Sequence, residues 1–246
     1  MSSTYFGRTG NTPPVVKNLI IINVLMFLGT LAVSQAFNTD LNHVLGLYYF
    51  GSPLFNPYQI ITHMFMHGSL GHIFFNMFAL WMFGKVLEQV WGSKRFFIYY
   101  MITGLGAVFL HTLVLSIELH PLINYVSQTY SIDSFTPEMI DKLYNMSDPK
   151  ARALAVSMLT PTIGASGAVF GVLLAFGMLF PNTQLMLLFP PIPIKAKYFV
   201  IGYGLIELYL GVMQPGSNVA HFAHLGGMLF GFVMIKLWKK DRNAFY

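Results

Sequence analysis

The sequence predicts an all-α polytopic membrane protein, a bundle of six transmembrane helices with both termini in the cytoplasm. Composition is the first reason: of 246 residues 55% are hydrophobic and 9% charged, against roughly a quarter charged in a soluble domain, and the mean hydropathy is +0.59. The second is that apolar stretches close to the roughly 20 residues needed to cross a bilayer recur along the chain. The third is that Lys and Arg gather in alternate connections, the pattern that orients membrane helices. An apolar chain without cysteine is neither disordered nor a disulfide-stapled secreted module. The 14 Lys and Arg against 9 Asp and Glu give +5, a surplus that here sets topology; the expected partner is the lipid bilayer, not nucleic acid.

The spans run approximately from Leu19 to Ala36, His72 to Val90, Phe96 to Ile117, Ala165 to Phe180, Ala196 to Met213 and His221 to Trp238. Arg8 and Lys17 precede the first. Lys85, Lys94 and Arg95 flank the turn from second to third, Lys195 and Lys197 separate fourth from fifth, and Lys236, Lys239, Lys240 and Arg242 close the chain. All of these fall on one side of a six-span protein, which makes that side cytoplasmic. The chain thus divides into a cytoplasmic segment 1–18, a membrane domain 19–238 and a cytoplasmic tail 239–246. Lys17 before the first span and Ser34-Gln35-Ala36 at its end resemble a signal peptide, but removing it would invert the charge pattern, so an uncleaved span is expected. The connection 118–160 carries two helix starts, Thr136-Pro137-Glu138 and Asp148-Pro149, and reads as a small helical cap on the outer surface.

Polar side chains inside a bilayer are costly and call for a reason. Here they gather at one depth: His63, His67 and His72 at the start of the second span, His221 and His224 at the start of the sixth, and Gly164-Ala165-Ser166-Gly167 opening the fourth. Ser166 stands at a helix amino end, where free amides and the positive dipole end suit a developing oxyanion; by itself it is equally a helix cap. His224 is followed by Gly227 and Gly231 on one face, and the fourth span carries Gly167 and Gly171. Small residues at this spacing let helices approach closely enough for an imidazole to reach a serine on another helix. His221 is a rival base one turn nearer the loop. His72 and Asn76 share a face of the second span and could direct two donors at one point.

Carboxylates are scarce in the spans, where only Glu88 and Glu207 occur. Paired-carboxylate chemistry is therefore excluded, and no acid is expected to complete a triad. Met64, Phe65 and Met66 between His63 and His67 exclude an H-E-x-x-H zinc site. A three-histidine metal site from His67, His72 and His224 is a minor alternative without an accompanying acid.

Taken together, His67-Gly68-Ser69-Leu70-Gly71-His72-Ile73-Phe74-Phe75-Asn76, Gly84 with Glu88, Gly164-Ala165-Ser166-Gly167 and His224-Leu225-Gly226-Gly227 resemble the rhomboid intramembrane serine proteases over about residues 56–238. The resemblance implies that Ser166 is the nucleophile and His224 the general base of a dyad, with His72, Asn76 and the Ser166 amide stabilising the oxyanion. It implies that His67 braces the first outer loop, that Glu88 is a buried structural acid, and that Phe170 is the ring on which the catalytic imidazole stacks. No metal or other cofactor is implied, and the substrates would be single-span membrane proteins cut near the outer leaflet. Entry between the second and fifth spans is part of the family's pattern; Phe199, Tyr203 and Ile206 have spacing suited to such a gate or to a plain packing stripe.

Two departures stand out. Many bacterial members carry a Trp-Arg pair in the loop after the first span, whereas here that loop offers Tyr48, Tyr49, Phe50, Phe55 and Tyr58 and no Arg, so its interfacial insertion rests on aromatics. The connection 118–160 also exceeds the family's minimal core. The alternatives are a catalytically silent rhomboid-like protein that binds membrane clients, and a proton-coupled transporter, which would spread its ionisable groups through the bilayer depth. The short polar amino terminus favours a bacterial inner membrane, with the site facing the extracytoplasmic side.

Overall fold

A computed structural model describes residues 11–186, 191–214 and 220–240. Arg8 and Arg242 lie outside them, as do most of the terminal segments drawn from the sequence. Helix α1 (Pro14–Phe37) is followed by the short α2 (Leu41–Leu45) and α3 (Gln59–Thr62), the latter continued by a 3₁₀ turn at His63–Phe65. Helices α4 (Leu70–Ala79) and α5 (Lys85–Trp91) are joined by a π turn over Leu80–Gly84, so the chain runs as one rod from Leu70 to Trp91. Then come α6 (Ser93–Tyr130), α7 (Pro137–Tyr144), α8 (Pro149–Leu159) and α9 (Ser166–Leu179). An antiparallel hairpin, β1 (Gln184–Met186) with β2 (Pro193–Lys195), leads to α10 (Ala196–Met213) and α11 (His221–Lys240).

Among the described residues five stretches are long and apolar enough to cross a membrane: α1, the Leu70–Trp91 rod, α6, α10 and α11. The protein is an integral, multi-pass membrane protein, and its surface agrees: Leu25 and Leu205 are each 61% exposed, positions for lipid and not water. Helix α9, expected as the fourth span, has 14 residues, about 21 Å of helix against a hydrocarbon core of about 30 Å.

Helices α6, α9 and α11 meet along glycines. A Cβ on Gly227 would collide with the Gly167 carbonyl, while Gly171 lies against Thr103 and Gly231 against the Tyr99 hydroxyl. The two glycine pairs read from the sequence thus do not all face each other. Gly227 lets α11 settle on the Gly167 carbonyl of α9, while Gly167, whose own Cβ would collide with Ala107, joins Gly171 and Gly231 in accommodating α6, whose Tyr99 hydroxyl donates to the Gly171 carbonyl at 2.8 Å. Phe96, Tyr100, Ala168, Val172 and Ile235 fill the core around this crossing.

Glu88 is buried and takes the amides of Val15 and Val16 at 2.9 and 2.8 Å, together with the Ser93 hydroxyl at 2.6 Å. It therefore caps α1 from another helix, placing negative charge on that helix's positive end.

The sequence ends the third span at Ile117, but α6 continues to Tyr130 through Pro121. Its last turns present Leu119 and Val126 to Ile140 and Leu143 of α7 and Leu154 and Met158 of α8, a second apolar core. Burying that face offsets the bond lost at the proline. Thr136 and Asp148 cap α7 and α8 through the amides of Met139 and Lys150, where the sequence signals fall. The Tyr130 hydroxyl donates to Asp148 at 2.8 Å and holds its carboxyl below the usual range.

Candidate active site

Chain geometry before α9 explains why a serine stands open at its amino end. Pro161 follows the last residues of α8, and residues 160–165 run in non-helical conformation. Leu47 and Thr162 exchange backbone hydrogen bonds at 2.9 and 2.7 Å, the Gly164 amide donates to the His63 carbonyl at 2.9 Å, and His111 Nε2 meets the Thr162 hydroxyl at 3.0 Å. Irregular backbone at membrane depth is tolerable when it is paired in this way and borders a cavity. Gly164 has φ +128°, a conformation side chains disfavour, and a Cβ there would lie 2.8 Å from His72 Nε2. The glycine is required twice over, by its conformation and by the closeness of His72.

The first intrahelical bond of α9 is from Val169 N to the Ala165 carbonyl at 3.0 Å. The amides of Ser166, Gly167 and Ala168 precede it at the positive end of the helix dipole. Ser166 Oγ lies 2.8 Å from His224 Nε2, a hydrogen bond between residues on α9 and α11. Phe170 lies flat on the His224 ring, 4.1 Å between centroids and 4° between planes. Tyr203 stacks parallel to Phe170 at 5.2 Å, and Phe199 follows on Tyr203 at 5.7 Å, so α10 is tied to the imidazole through a ladder of rings.

His72, Asn76, Ser166, Tyr203, Glu207 and His224 all line one cavity of about 1360 Å³. Asn76 Nδ2 donates to the His72 carbonyl at 3.0 Å, and Ser69 caps α4 by accepting the His72 amide at 3.1 Å. His67 is buried with its ring edge-on to His72 at 4.8 Å. Within the first outer loop, Gln59 accepts from Asn56 N and donates to the Val44 and Leu54 carbonyls, and Thr62 donates to the Leu45 carbonyl at 2.6 Å. Within that loop Tyr48 is buried and bonded to His43, while Phe50 and Tyr58 are exposed, so only part of the aromatic set can meet lipid.

The expectation that no acid accompanies the histidine is overturned. Glu207 Oε2 lies 2.9 Å from His224 Nδ1 and 2.7 Å from His221 Nδ1, with all three residues buried. The reason is antiparallel geometry: α10 and α11 are neighbours joined by one connection, so residues at similar distances either side of it face each other. That symmetry was the available sequence signal, and reading Glu207 as merely within a span missed it. The ligating atoms of Glu207, His221 and His224 lie within 4.8 Å of one another and could hold a metal ion. The two contacts have hydrogen-bond lengths, however, whereas donors about 2.1 Å from one tetrahedral ion stand roughly 3.4 Å apart. Two N–H groups donating to one carboxylate oxygen is the arrangement that fits.

A family model described as the rhomboid domain matches residues 55–240, and the chain belongs to the rhomboid family. It is 28% identical over 189 residues to Rhomboid protein 1, mitochondrial, of Saccharomyces cerevisiae, an alignment covering 75% of this chain and 44% of that protein. It is 27% identical over 235 residues to RHOMBOID-like protein 12, mitochondrial, of Arabidopsis thaliana, covering 94% of this chain and 60% of that one. With Rhomboid protease GluP of Bacillus subtilis it shares 27% identity over 175 residues, 71% of this chain and 25% of the relative. The chain therefore spans between a quarter and three-fifths of the length of these relatives.

Proposed function

We propose that the protein is an intramembrane serine endopeptidase that cleaves single-span membrane proteins near the outer leaflet. The observation that carries this reading is the 2.8 Å contact of Ser166 Oγ with His224 Nε2 at the floor of an open cavity. In the proposed reaction His224 takes the Ser166 proton as the oxygen attacks the scissile carbonyl. His72, Asn76 and the Ser166 amide stabilise the oxyanion. His224 then gives the proton to the leaving amine, the peptide bond breaks, and an acyl-enzyme forms on Ser166. Water activated by the same imidazole releases the acid and restores the hydroxyl.

The same reading makes residues 19–238 one six-span domain, with α9 as the short span, both termini cytoplasmic and the α7–α8 region a cap on the extracytoplasmic side. A bacterial inner membrane is part of it, alongside relatives whose names include mitochondrial proteins. Phe75, Phe78 and Met82 on one wall of the cavity and Phe199 and Tyr203 on the other support lateral entry between the second and fifth spans. A bound helix must unwind there to expose its carbonyl, so Gly, Ser or Pro near the cut favours cleavage.

The test is reconstitution with a single-span substrate and mass spectrometry of the products. Defined fragments from the native protein and none from Ser166→Ala support the proposal. An intact substrate that nonetheless co-purifies with the native protein favours the client-binding alternative.

A further inference from the structure

We propose that Glu207 is a positioning residue for His224, so that the site works as a Ser166–His224–Glu207 relay and not as a pair. The inference rests on the proteolytic reading and adds a residue to it. His224 is engaged at both ring nitrogens: Nδ1 to Glu207 Oε2 at 2.9 Å and Nε2 to Ser166 Oγ at 2.8 Å. A carboxylate can only accept, so Nδ1 carries the proton and Nε2 keeps its lone pair toward the serine. That is the tautomer a general base needs, and an imidazole free to turn or to shift its proton would not hold it.

The carboxylate is itself held. His221 Nδ1 donates to the same Oε2 at 2.7 Å, with its ring perpendicular to that of His224. One oxygen with two N–H donors from successive turns of α11 has little freedom to rotate away. The ion contacts found for Glu207 among the described residues are these two imidazoles, so its charge is directed at the base and not spent on a Lys or Arg.

Helix α10 supplies a second restraint from the same face. Phe199, Tyr203 and Glu207 follow at four-residue intervals: the rings reach His224 through Phe170, and the acid reaches its edge. The imidazole is thereby fixed in plane and in rotation. When Ser166 gives up its proton, positive charge appears on His224, where a buried carboxylate at hydrogen-bond distance stabilises it. The proton passes from Ser166 Oγ to Nε2 and on to the leaving nitrogen, while Glu207 stays ionised throughout.

The experiment compares Glu207→Gln, Glu207→Asp and the native protein in kcat, KM, rate of fluorophosphonate labelling at Ser166 and thermal midpoint. Glu207→Gln keeps the shape but not the charge; the expected result is a fall in kcat of about 10⁴-fold with KM unchanged and labelling slowed in parallel. Glu207→Asp, which retains the charge on a shorter arm, recovers part of that loss. Glu207→Gln within threefold of native kcat overturns the inference, and so does equal loss in both variants accompanied by a lowered midpoint, which marks a structural role. If Glu207→Gln does not fold, ¹⁵N-histidine NMR of the native protein decides: His224 protonated at Nδ1 and bare at Nε2 supports the relay, and the opposite tautomer overturns it. A native protein that neither cleaves nor labels defeats the proteolytic reading itself, whereas an active native protein with an unimpaired Glu207→Gln variant defeats only this inference.

Discussion

Adding one methyl group at Gly227 should separate turnover from folding. The Cβ of Gly227→Ala would overlap the Gly167 carbonyl, which belongs to backbone and cannot rotate aside. Restoring an ordinary C···O separation of about 3.3 Å requires α9 and α11 to part by more than about 1 Å. Gly167 follows Ser166 directly and Gly227 lies one turn beyond His224, so the parting is felt at the 2.8 Å contact and carries it toward the roughly 3.5 Å limit of a hydrogen bond. A misplacement near 1 Å costs about 10²-fold in rate. Overpacking costs about 1–3 kcal/mol, and at about 2–4 °C per kcal/mol for a chain of this size the thermal midpoint drops by about 2–12 °C. The assay is kcat on a single-span substrate beside a melting curve in the same detergent. Folded protein with kcat down about 10²-fold is expected, and Gly227→Val should be worse on both counts. A Gly227→Ala protein with native turnover would refute the argument that this glycine contact sets the Ser166–His224 distance.

Other substitutions probe separate parts of the account. Asn76→Ala should lower kcat by about 10- to 10³-fold through loss of an oxyanion donor, with KM nearly unchanged; a pure KM effect would assign Asn76 to binding. Gly164→Ala, strained at φ +128° and pressing on His72, should cut turnover while Ser166 stays reactive toward a small fluorophosphonate, and equal loss of both would place the damage at the serine instead. Glu88→Ala leaves the Val15 and Val16 amides without their acceptor and should cost on the order of 3 kcal/mol, seen as a lower midpoint with kcat per folded molecule retained. An unchanged midpoint would show that the cap on α1 is not stabilising.

What the sequence made legible follows from which interactions are local. Cap signals at Thr136 and Asp148 lie within a turn of the amides they bind, and the structure has helices there. Ser166 and His224 could be paired from sequence because each opens an apolar segment beside a small-residue face, which fixes both their depth and their ability to approach. Glu207 was visible as a polar residue in a span, but its partner depends on which helices are neighbours, information that no hydropathy window contains. The continuation of α6 past Pro121 was hidden for a similar reason: Glu118, His120 and a proline read as a connection until α7 and α8 supply the surface that Leu119 and Val126 bury against. The β1–β2 hairpin, three residues to a strand, is too short for alternation to register. Glycines announced close packing, but only the assembled bundle assigns Gly167, Gly171 and Gly231 to α6 and sets Gly227 against the Gly167 carbonyl.

The most direct measurement is covalent: treat the reconstituted protein with a fluorophosphonate and locate the adduct by peptide mass spectrometry. A single adduct on Ser166 that disappears in His224→Ala is the predicted result. An adduct on another residue, or labelling of Ser166 that is indifferent to His224, would contradict the claim that this serine is activated by this histidine.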